Sequence, residues 1–335
     1  MKNKLLDVRV LSVRYEAEDI NAYELVDPDG GELPPFTAGA HIDLHLRDGR
    51  IRQYSLANDP AERHRYVVGI LRDSAGRGGS VAIFENVHPG RILTISTPRN
   101  HFPLAGGAQR HLLLAGGIGV TPMMAMLAQL ERENADFLLH YCTRSPQRTA
   151  FRELLARPRV AGRVRYYHDG GDPRQGLDTA ALLRERPDGT HLYYCGPPGF
   201  MTAVAAASAH WPKEAVHFEY FTPPAPASPV VITGAGTSGT AANAAADNPV
   251  GFQVRLTSTG ALYDVPNDKS IVEVLREQGI DVETSCESGL CGTCRTRYLE
   301  GEPEHHDYVL DDDERDEYVM ICCARSKSPF LVLDR

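Results

Sequence analysis

Five of the seven cysteines fall in the last fifty residues, and their spacing suits metal chemistry. The run is Cys286-ESGL-Cys291-GT-Cys294, followed after 27 residues by Cys322 and, beside it, Cys323. C-x4-C-x2-C with a distant fourth cysteine is the spacing of plant-type [2Fe–2S] ligation. Two irons bridged by two sulfides need four thiolates around a compact rhomb. A tight loop supplies three of them if its backbone turns without Cβ clashes, which Gly289 and Gly292 permit. Backbone N–H groups in such a loop can also donate to the sulfurs and tune the potential. A four-cysteine zinc site arrives as two C-x2-C pairs, and this segment has one. The fourth ligand is Cys322 or Cys323. If YVMICCA is a strand, its side chains alternate, and one of the two faces the loop.

Two more groups of residues suit phosphate and ring recognition. In Arg52-Gln53-Tyr54-Ser55-Leu56 a cation, an aromatic ring and a hydroxyl stand close together on a strand. Gly76-Arg77-Gly78-Gly79-Ser80 follows and opens a helix. Its glycines let backbone approach an anion, and the helix N-terminus presents unpaired N–H groups; alternatively, it is a turn capped by Ser80. Further on, Ala115-Gly116-Gly117-Ile118-Gly119-Val120-Thr121-Pro122 and Cys195-Gly196-Pro197-Pro198-Gly199 each sit where a strand gives way to a helix. Open α/β sheets bind nucleotides at such points.

The elements that carry these residues read as three units. Over the first hundred residues, LLDVRVLSVRY, AHIDLHL, RYVVGILR and RILTISTP are short β-runs separated by turn clusters, which predicts a small barrel or sandwich. From about residue 110, HLLLAGG, FLLHYCT, VRYYHD and HLYYCG alternate with PMMAMLAQLERE, AFRELLA, DTAALLRER and FMTAVAAASAHW. Strands alternating with helices predict a parallel doubly wound sheet. Residues 222–250, rich in Pro, Ala, Gly, Ser and Thr, read as a linker. The linker contains a literal G-x-G-x-x-G at Gly234, Gly236 and Gly239. The βαβ surroundings that such a fingerprint requires are missing, so it is read as linker. From Gly251 a last unit has strands FQVRLTST and ALYDVP, helix SIVEVLREQG, the cysteine loop, and apolar runs YVMICCA and FLVLD.

Hydrophobic residues make up 42% of the 335-residue chain and charged ones 24%, as in globular proteins. No window approaches the roughly 20 apolar residues of a membrane helix. The N-terminus lacks the apolar core of a signal peptide, so a cytoplasmic location is expected, where lasting disulfides are rare. The net charge of −9 is concentrated: from Gly251 onward there are 18 acidic and 9 basic residues, and the remainder balances at 26 of each. That distribution disfavours a nucleic-acid partner.

Taken together, RQYSLAN, RGGS, LAGGIGVTPMMAM, YYCGPPGFM, SCESGLCGTC and VMICCARS resemble, in that order, the phthalate dioxygenase reductase and vanillate demethylase reductase family. The resemblance covers essentially the whole chain except the linker, which is longer and richer in alanine than the family leads one to expect. It implies an FMN-binding antiparallel β-barrel over residues 1–105 and a doubly wound NAD-binding α/β domain over 106–221. After a linker at 222–250 it implies a plant-type [2Fe–2S] ferredoxin domain of β-grasp fold over 251–335. By the same resemblance Arg52, Tyr54, Ser55 and Leu56 line the flavin, with Ser55 near the N5 edge. Ile70 and Arg72 flank it, and Gly78, Gly79, Ser80 and Val81 take its phosphate. Thr121 and Phe221 close the flavin site, while Gly116, Gly117, Gly119 and Cys195-Gly196-Pro197 border the NADH. Ser55, Thr121 and Cys195 then stand nearest the hydride transfer. The fourth cluster ligand falls on Cys322, which leaves Cys323, Cys142 and Cys195 as free thiols. FMN over FAD and NADH over NADPH rest on the resemblance; Arg144 and Arg148 follow the strand FLLHYCT, where a 2′-phosphate would be met.

The function this implies is reduction of a terminal oxygenase, with electrons passing from NADH to FMN to [2Fe–2S] to the partner. The resemblance points to a Rieske-type oxygenase acting on aromatic acids, methoxy-aromatics or quaternary amines. Other readings are a reductase serving a P450, or a redox carrier or sensor without hydride chemistry. A monomer is expected. The concentrated negative charge, and Asp311-Asp312-Asp313-Glu314-Arg315-Asp316-Glu317 in particular, suggests docking on a basic patch of the partner.

Overall fold

The computed structural model describes residues 5–222 and 250–335. The G-x-G-x-x-G segment of the linker lies outside them. The chain divides into two compact units, the first ending at Thr222.

The first unit opens with strands β1 (Leu5–Ala17), β2 (Ile20–Val26), β3 (His41–His45), β4 (Ile51–Ser55) and β5 (Tyr66–Leu71), then helix α1 (Gly79–Asn86) and strand β6 (Ile92–Ser96). The strands form one antiparallel sheet in the order β4-β3-β6-β1-β2-β5. A bridge between Leu56 and Val68, with Ala57 N–H donating to Val67 O at 2.8 Å, closes it into a barrel. Alternation points Val8, Val10, Ile42, Leu44, Val68 and Ile70 inward, each essentially inaccessible. Each such side chain contributes about 1.5–3 kcal/mol. Strand β2 is absent from the sequence reading. The turn that leads into it contains Asp19 at φ 62° instead of the glycine that signals a hairpin; a short acidic side chain tolerates that conformation.

The same unit continues with β7 (Arg110–Gly116), α2 (Val120–Arg132), β8 (Asp136–Thr143), α3 (Arg152–Leu155), α4 (Pro158–Ala161), β9 (Val164–His168), α5 (Thr179–Leu183), β10 (Thr190–Cys195), α6 (Pro198–Ala207) and β11 (Val216–Glu219). All neighbouring strand pairs are parallel, in the order β11-β10-β7-β8-β9. The order reverses between β7 and β10, so a crevice opens at their carboxyl ends, where both glycine turns lie. β7 is buried from His111 to Gly116, as expected of a strand covered on both faces. The short strand β11 was not anticipated from sequence, and it supplies one of the site residues.

The second unit contains β12 (Val250–Leu256), β13 (Leu262–Pro266), α7 (Ile271–Glu277), β14 (Arg295–Glu300), β15 (Pro303–Glu304), β16 (Tyr318–Met320), β17 (Arg325–Ser326) and β18 (Phe330–Leu333). Five strands form a mixed sheet, β13-β12-β18-β14-β16, in which β12 and β18 run parallel. Helix α7 starts on a capping box: Ser270 Oγ accepts from Glu273 N, and Glu273 accepts from Ser270 N. Its buried face, Ile271, Val272, Val274 and Leu275, joins Val254, Val265, Ile321 and Leu331 in the core. One expectation is corrected. The run YVMICCA is a strand only to Met320; Cys323 N and Ala324 N both donate to Met320 O, so Cys322 and Cys323 lie in a turn. Strand alternation therefore does not choose between them.

Candidate functional site

The phosphate-binding end of the barrel is built from β4 and α1. Gly78, at φ 71°, precedes the first turn of α1, and the glycine at 79 is required by contact: a β-carbon there would collide with the Arg52 side chain. Arg52 Nη2 donates to Arg77 O at 3.0 Å, and Arg50 Nη1 donates to the same oxygen at 3.3 Å. Burial and the neighbouring Arg77 cation pull the Arg52 pKa down. Crowded guanidinium groups over a helix N-terminus fit a phosphate, which would offset their mutual repulsion. Ser80 is not the helix cap; its Oγ accepts from Asp73 N at 3.0 Å. Val81 is half-buried in the first turn of α1, Arg72 is exposed, and Ile70 belongs to the barrel core.

Farther along β4, Tyr54 is half-buried and burial pushes its phenol pKa up; Leu56 is fully buried. Ser55 Oγ donates to Glu219 Oε2 at 3.4 Å, joining the barrel to β11. Glu219 pairs in register with Cys195 on β10. Burial pushes the Glu219 carboxyl up to about 8, with the Ser55 hydroxyl acting in the opposite direction. Burial, together with the Glu219 carboxylate, raises the Cys195 thiol well above its ordinary value. Behind Glu219 stands His41, whose Nδ1 is 3.7 Å from Glu219 Oε1. Burial, then Arg99 and His101, bring the His41 pKa down to about 3, so near neutral pH this is a contact with a neutral imidazole. Gln53 Nε2 contacts His41 Nε2 at 3.3 Å and donates to Asp43 Oδ1 at 3.2 Å. Sequence reasoning missed Glu219 and His41. The available signal was a carboxylate within the otherwise apolar and aromatic run VHFEYF.

At the sheet's switch point the two glycine turns touch. A β-carbon on Gly116 would lie 2.8 Å from Pro197 Cδ, and one on Gly196 would lie 2.6 Å from Phe200 Cδ1. Gly117 takes φ 54° on the way into α2. Thr121 is buried, donates from Oγ1 to Ile118 O at 2.9 Å, and sets its methyl against Gly69 of β5. Phe221 is 40% exposed at the end of the unit. Arg148 is not at the nucleotide end of β8; it pairs with Glu18 at 2.8 Å and Asp19 at 3.1 Å on the barrel. Arg144 is exposed just past β8. Bare backbone at the carboxyl ends of β7 and β10, leading into helix N-termini, fits a dinucleotide pyrophosphate.

In the second unit Cys286, Cys291, Cys294 and Cys322 are all buried. Ser288 N and Leu290 N donate to Cys286 Sγ at 3.4 and 3.2 Å, and Gly289 N donates to Cys322 Sγ at 3.3 Å. Positive φ at Glu287, Gly289 and Gly292 turns those amides inward. The Cys323 thiol instead donates to Met320 O at 3.6 Å, and its sulfur lies 2.7 Å from where a Gly289 β-carbon would be. Buried thiols that receive backbone N–H bonds fit an iron–sulfur cluster, whose sulfurs carry negative charge.

A barrel with a phosphate cradle, a nucleotide-binding sheet and a cysteine loop define a flavin-dependent, pyridine-nucleotide-linked iron–sulfur reductase. Comparison with known proteins agrees. Residues 113–206 match the oxidoreductase NAD-binding domain, and residues 254–327 match the 2Fe-2S iron-sulfur cluster binding domain. The chain is 54% identical to the tert-butanol monooxygenase / tert-amyl alcohol desaturase reductase subunit of Aquincola tertiaricarbonis, over 98% of this chain and 96% of that one. It is 45% identical to a vanillate O-demethylase oxidoreductase of a Pseudomonas species, over 98% and 100%. The solved structure of phthalate dioxygenase reductase, described as modular for electron transfer from pyridine nucleotides to [2Fe–2S], superimposes with a TM-score of 0.71. It is 40% identical, over 99% of this chain and 98% of that one. The chain belongs to the phthalate dioxygenase reductase and vanillate demethylase reductase family. It is an NADH-dependent oxidoreductase using FMN and a [2Fe–2S] cluster.

Proposed function

We propose that this chain is the reductase component of a two-component, Rieske-type oxygenase, supplying its partner with single electrons drawn from NADH. The observation that carries the reading is the meeting of Ser55, Glu219 and Cys195 between a phosphate cradle and a nucleotide crevice. When bound, the flavin accepts a hydride from NADH and the cluster passes the electrons on singly. The protein's part is placement. Arg52 and the amides at Gly78–Ser80 hold the flavin phosphate, while Tyr54 and Thr121 fix the ring between barrel and sheet. Gly116, Gly119 and Gly196 keep backbone bare so that the nicotinamide can approach. Ser55 and Glu219 hold a proton at the edge of the ring. Cys286, Cys291, Cys294 and Cys322 hold the iron, and the amides at 288–290 set the charge on the sulfurs.

The domain limits that go with this reading are 1–105, 106–221 and 251–335, with a linker at 222–250. The partner is an oxygenase protein, and nucleic acid is not a partner. The chain acts in the cytoplasm as a monomer; no helix among the described residues is long and apolar enough to cross a membrane. Mixing the purified protein with NADH in a stopped-flow spectrometer tests the reading. The flavin absorbance should bleach within a turnover time, and acid-released flavin should be FMN. A protein that takes electrons only from other carriers would not bleach.

A further inference from the structure

A cavity of about 460 Å³ lies at the seam between the barrel and the nucleotide-binding sheet, bordered by the C-terminal half of α2. Its floor is apolar: Val67 from the barrel, Met124 and Leu127 from α2, and Phe151, Leu154 and Leu155 after β8. Its rim is charged, with five arginines and three carboxylates. Three of the arginines are already matched. Arg14 pairs with Glu16, Arg65 with Glu62 and Glu24, and Arg132 with Asp59. Arg157 and Arg159 have no hydrogen-bonding or ionic partner among the described residues, and of the rim carboxylates only Glu131 lacks an arginine partner.

The cavity also adjoins strained backbone. Phe151 adopts φ 58°, a conformation a bulky side chain rarely takes. Two contacts with the barrel hold it there. Its N–H donates to Glu16 Oε2 at 3.1 Å, and its ring lies 2.9 Å from the β-position of Gly69, beside the Thr121 methyl. The residue that floors the cavity is thus one neighbour away from Thr121, at the head of the nucleotide-binding helix.

We infer that this cavity is a second small-molecule site for an amphipathic monocarboxylate, whose apolar body covers Phe151 and Leu127 and whose anionic group pairs with Arg157 and Arg159. The volume suits a ligand of one or two rings. An apolar floor under unmatched guanidinium groups selects an anion with a hydrophobic body over a neutral or polyanionic molecule. Occupancy braces the seam by filling space beneath Phe151.

The probe is 2-naphthoate, titrated against the intact holoprotein and followed by ligand-observed NMR and thermal melting. Saturable binding with a raised melting temperature is expected, unaffected by saturating NADH. Losing a charge-assisted contact costs about 1.5–3 kcal/mol, so Arg157→Ala with Arg159→Ala should weaken binding about tenfold or more. Neutral 2-naphthamide should be weaker by a similar factor. Ala128→Trp, which fills the cavity from α2, should abolish binding without touching an arginine. The inference is overturned if no saturable binding is seen, if NADH displaces the probe, or if both variants bind it as the parent does.

Discussion

Gly119 packs so tightly against the carbonyl of Cys195 that the two glycine turns share one surface. A β-carbon at 119 would overlap that oxygen, and the obstruction is backbone, which cannot rotate away. Gly119→Ala must therefore push β10 from β7 at the switch point, where the nicotinamide has to reach Ser55. Overpacking of this kind costs about 1–3 kcal/mol. The expected result is a lowered melting temperature and flavin bleaching by NADH slowed about tenfold, with iron content unchanged. Parent-like bleaching would mean that the crevice is not the nucleotide site.

Arg52 is the most committed cation of the flavin cradle, because its side chain fills the space that Gly79 leaves free. Arg52→Ala removes a charge-assisted contact worth about 1.5–3 kcal/mol, or about a ten- to hundredfold loss of flavin affinity. Equilibrium dialysis of released FMN measures this. Arg50→Ala should lose much less, since Arg50 is exposed and paired with Asp48; equal losses from the two variants would argue against the assignment.

The cluster loop was legible in the sequence because its requirements are local. Three ligands and two turn-forming glycines fall within nine residues, and no tertiary contact was needed to group them. The glycine turns and the strand–helix alternation of the second sheet were legible for the same reason. The Ser55–Glu219 contact was not, because it spans 164 positions and ends on a four-residue strand. Strand β2 was hidden by a hairpin turn without glycine. The choice between Cys322 and Cys323 rested on an expected strand that the fold replaces with a turn, so the amide of Gly289 now carries the argument.

That amide yields a direct test. Gly289 N–H donates to Cys322 Sγ, whereas the Cys323 thiol turns to the Met320 carbonyl. Cys322→Ser should lose most of its iron and visible iron–sulfur absorbance, and Cys323→Ser should keep both. Full iron content in Cys322→Ser would move the fourth ligand to Cys323.

Glu219 supplies a pH-dependent prediction. Its carboxyl is raised from an ordinary 4.5 to about 8, chiefly by burial. Between those values the folded chain holds a proton that the unfolded chain has lost, so this group makes stability fall as pH rises. Glu219→Gln cannot titrate. Its melting temperature should decline less than the parent's between pH 5 and 8, and the variant should gain most, relative to the parent, at the alkaline end. Ser55→Ala removes a hydroxyl that favours the carboxylate, so it should carry the decline to higher pH. Melting curves at several pH values check both, and a Glu219→Gln slope identical to the parent's would show that the carboxyl does not titrate in this range.

The acidic tract after residue 310 is not uniformly available to a partner. Glu314 is held by Arg295 at 2.6 Å, Glu317 lies 3.7 Å from Arg297, and Arg315 donates to Asp307 O at 3.2 Å. Asp313 and Asp316 have no such cation. If the second unit docks through complementary charge, the uncompensated carboxylates should dominate the encounter, because a paired charge projects little field. Asp313→Asn with Asp316→Asn should slow electron delivery to the oxygenase about two- to fivefold at low salt, acting on the association rate as rim charges do. Glu314→Gln should do less, or even speed association slightly by altering the Arg295 pairing. Raising ionic strength should remove the difference between the variants, since exposed charges are screened beyond about 10 Å at 0.1 M salt. The measurement is the second-order rate of oxygenase reduction across a salt series. A rate indifferent to salt in the parent would rule out electrostatic docking through this tract, while leaving the flavin and cluster assignments untouched.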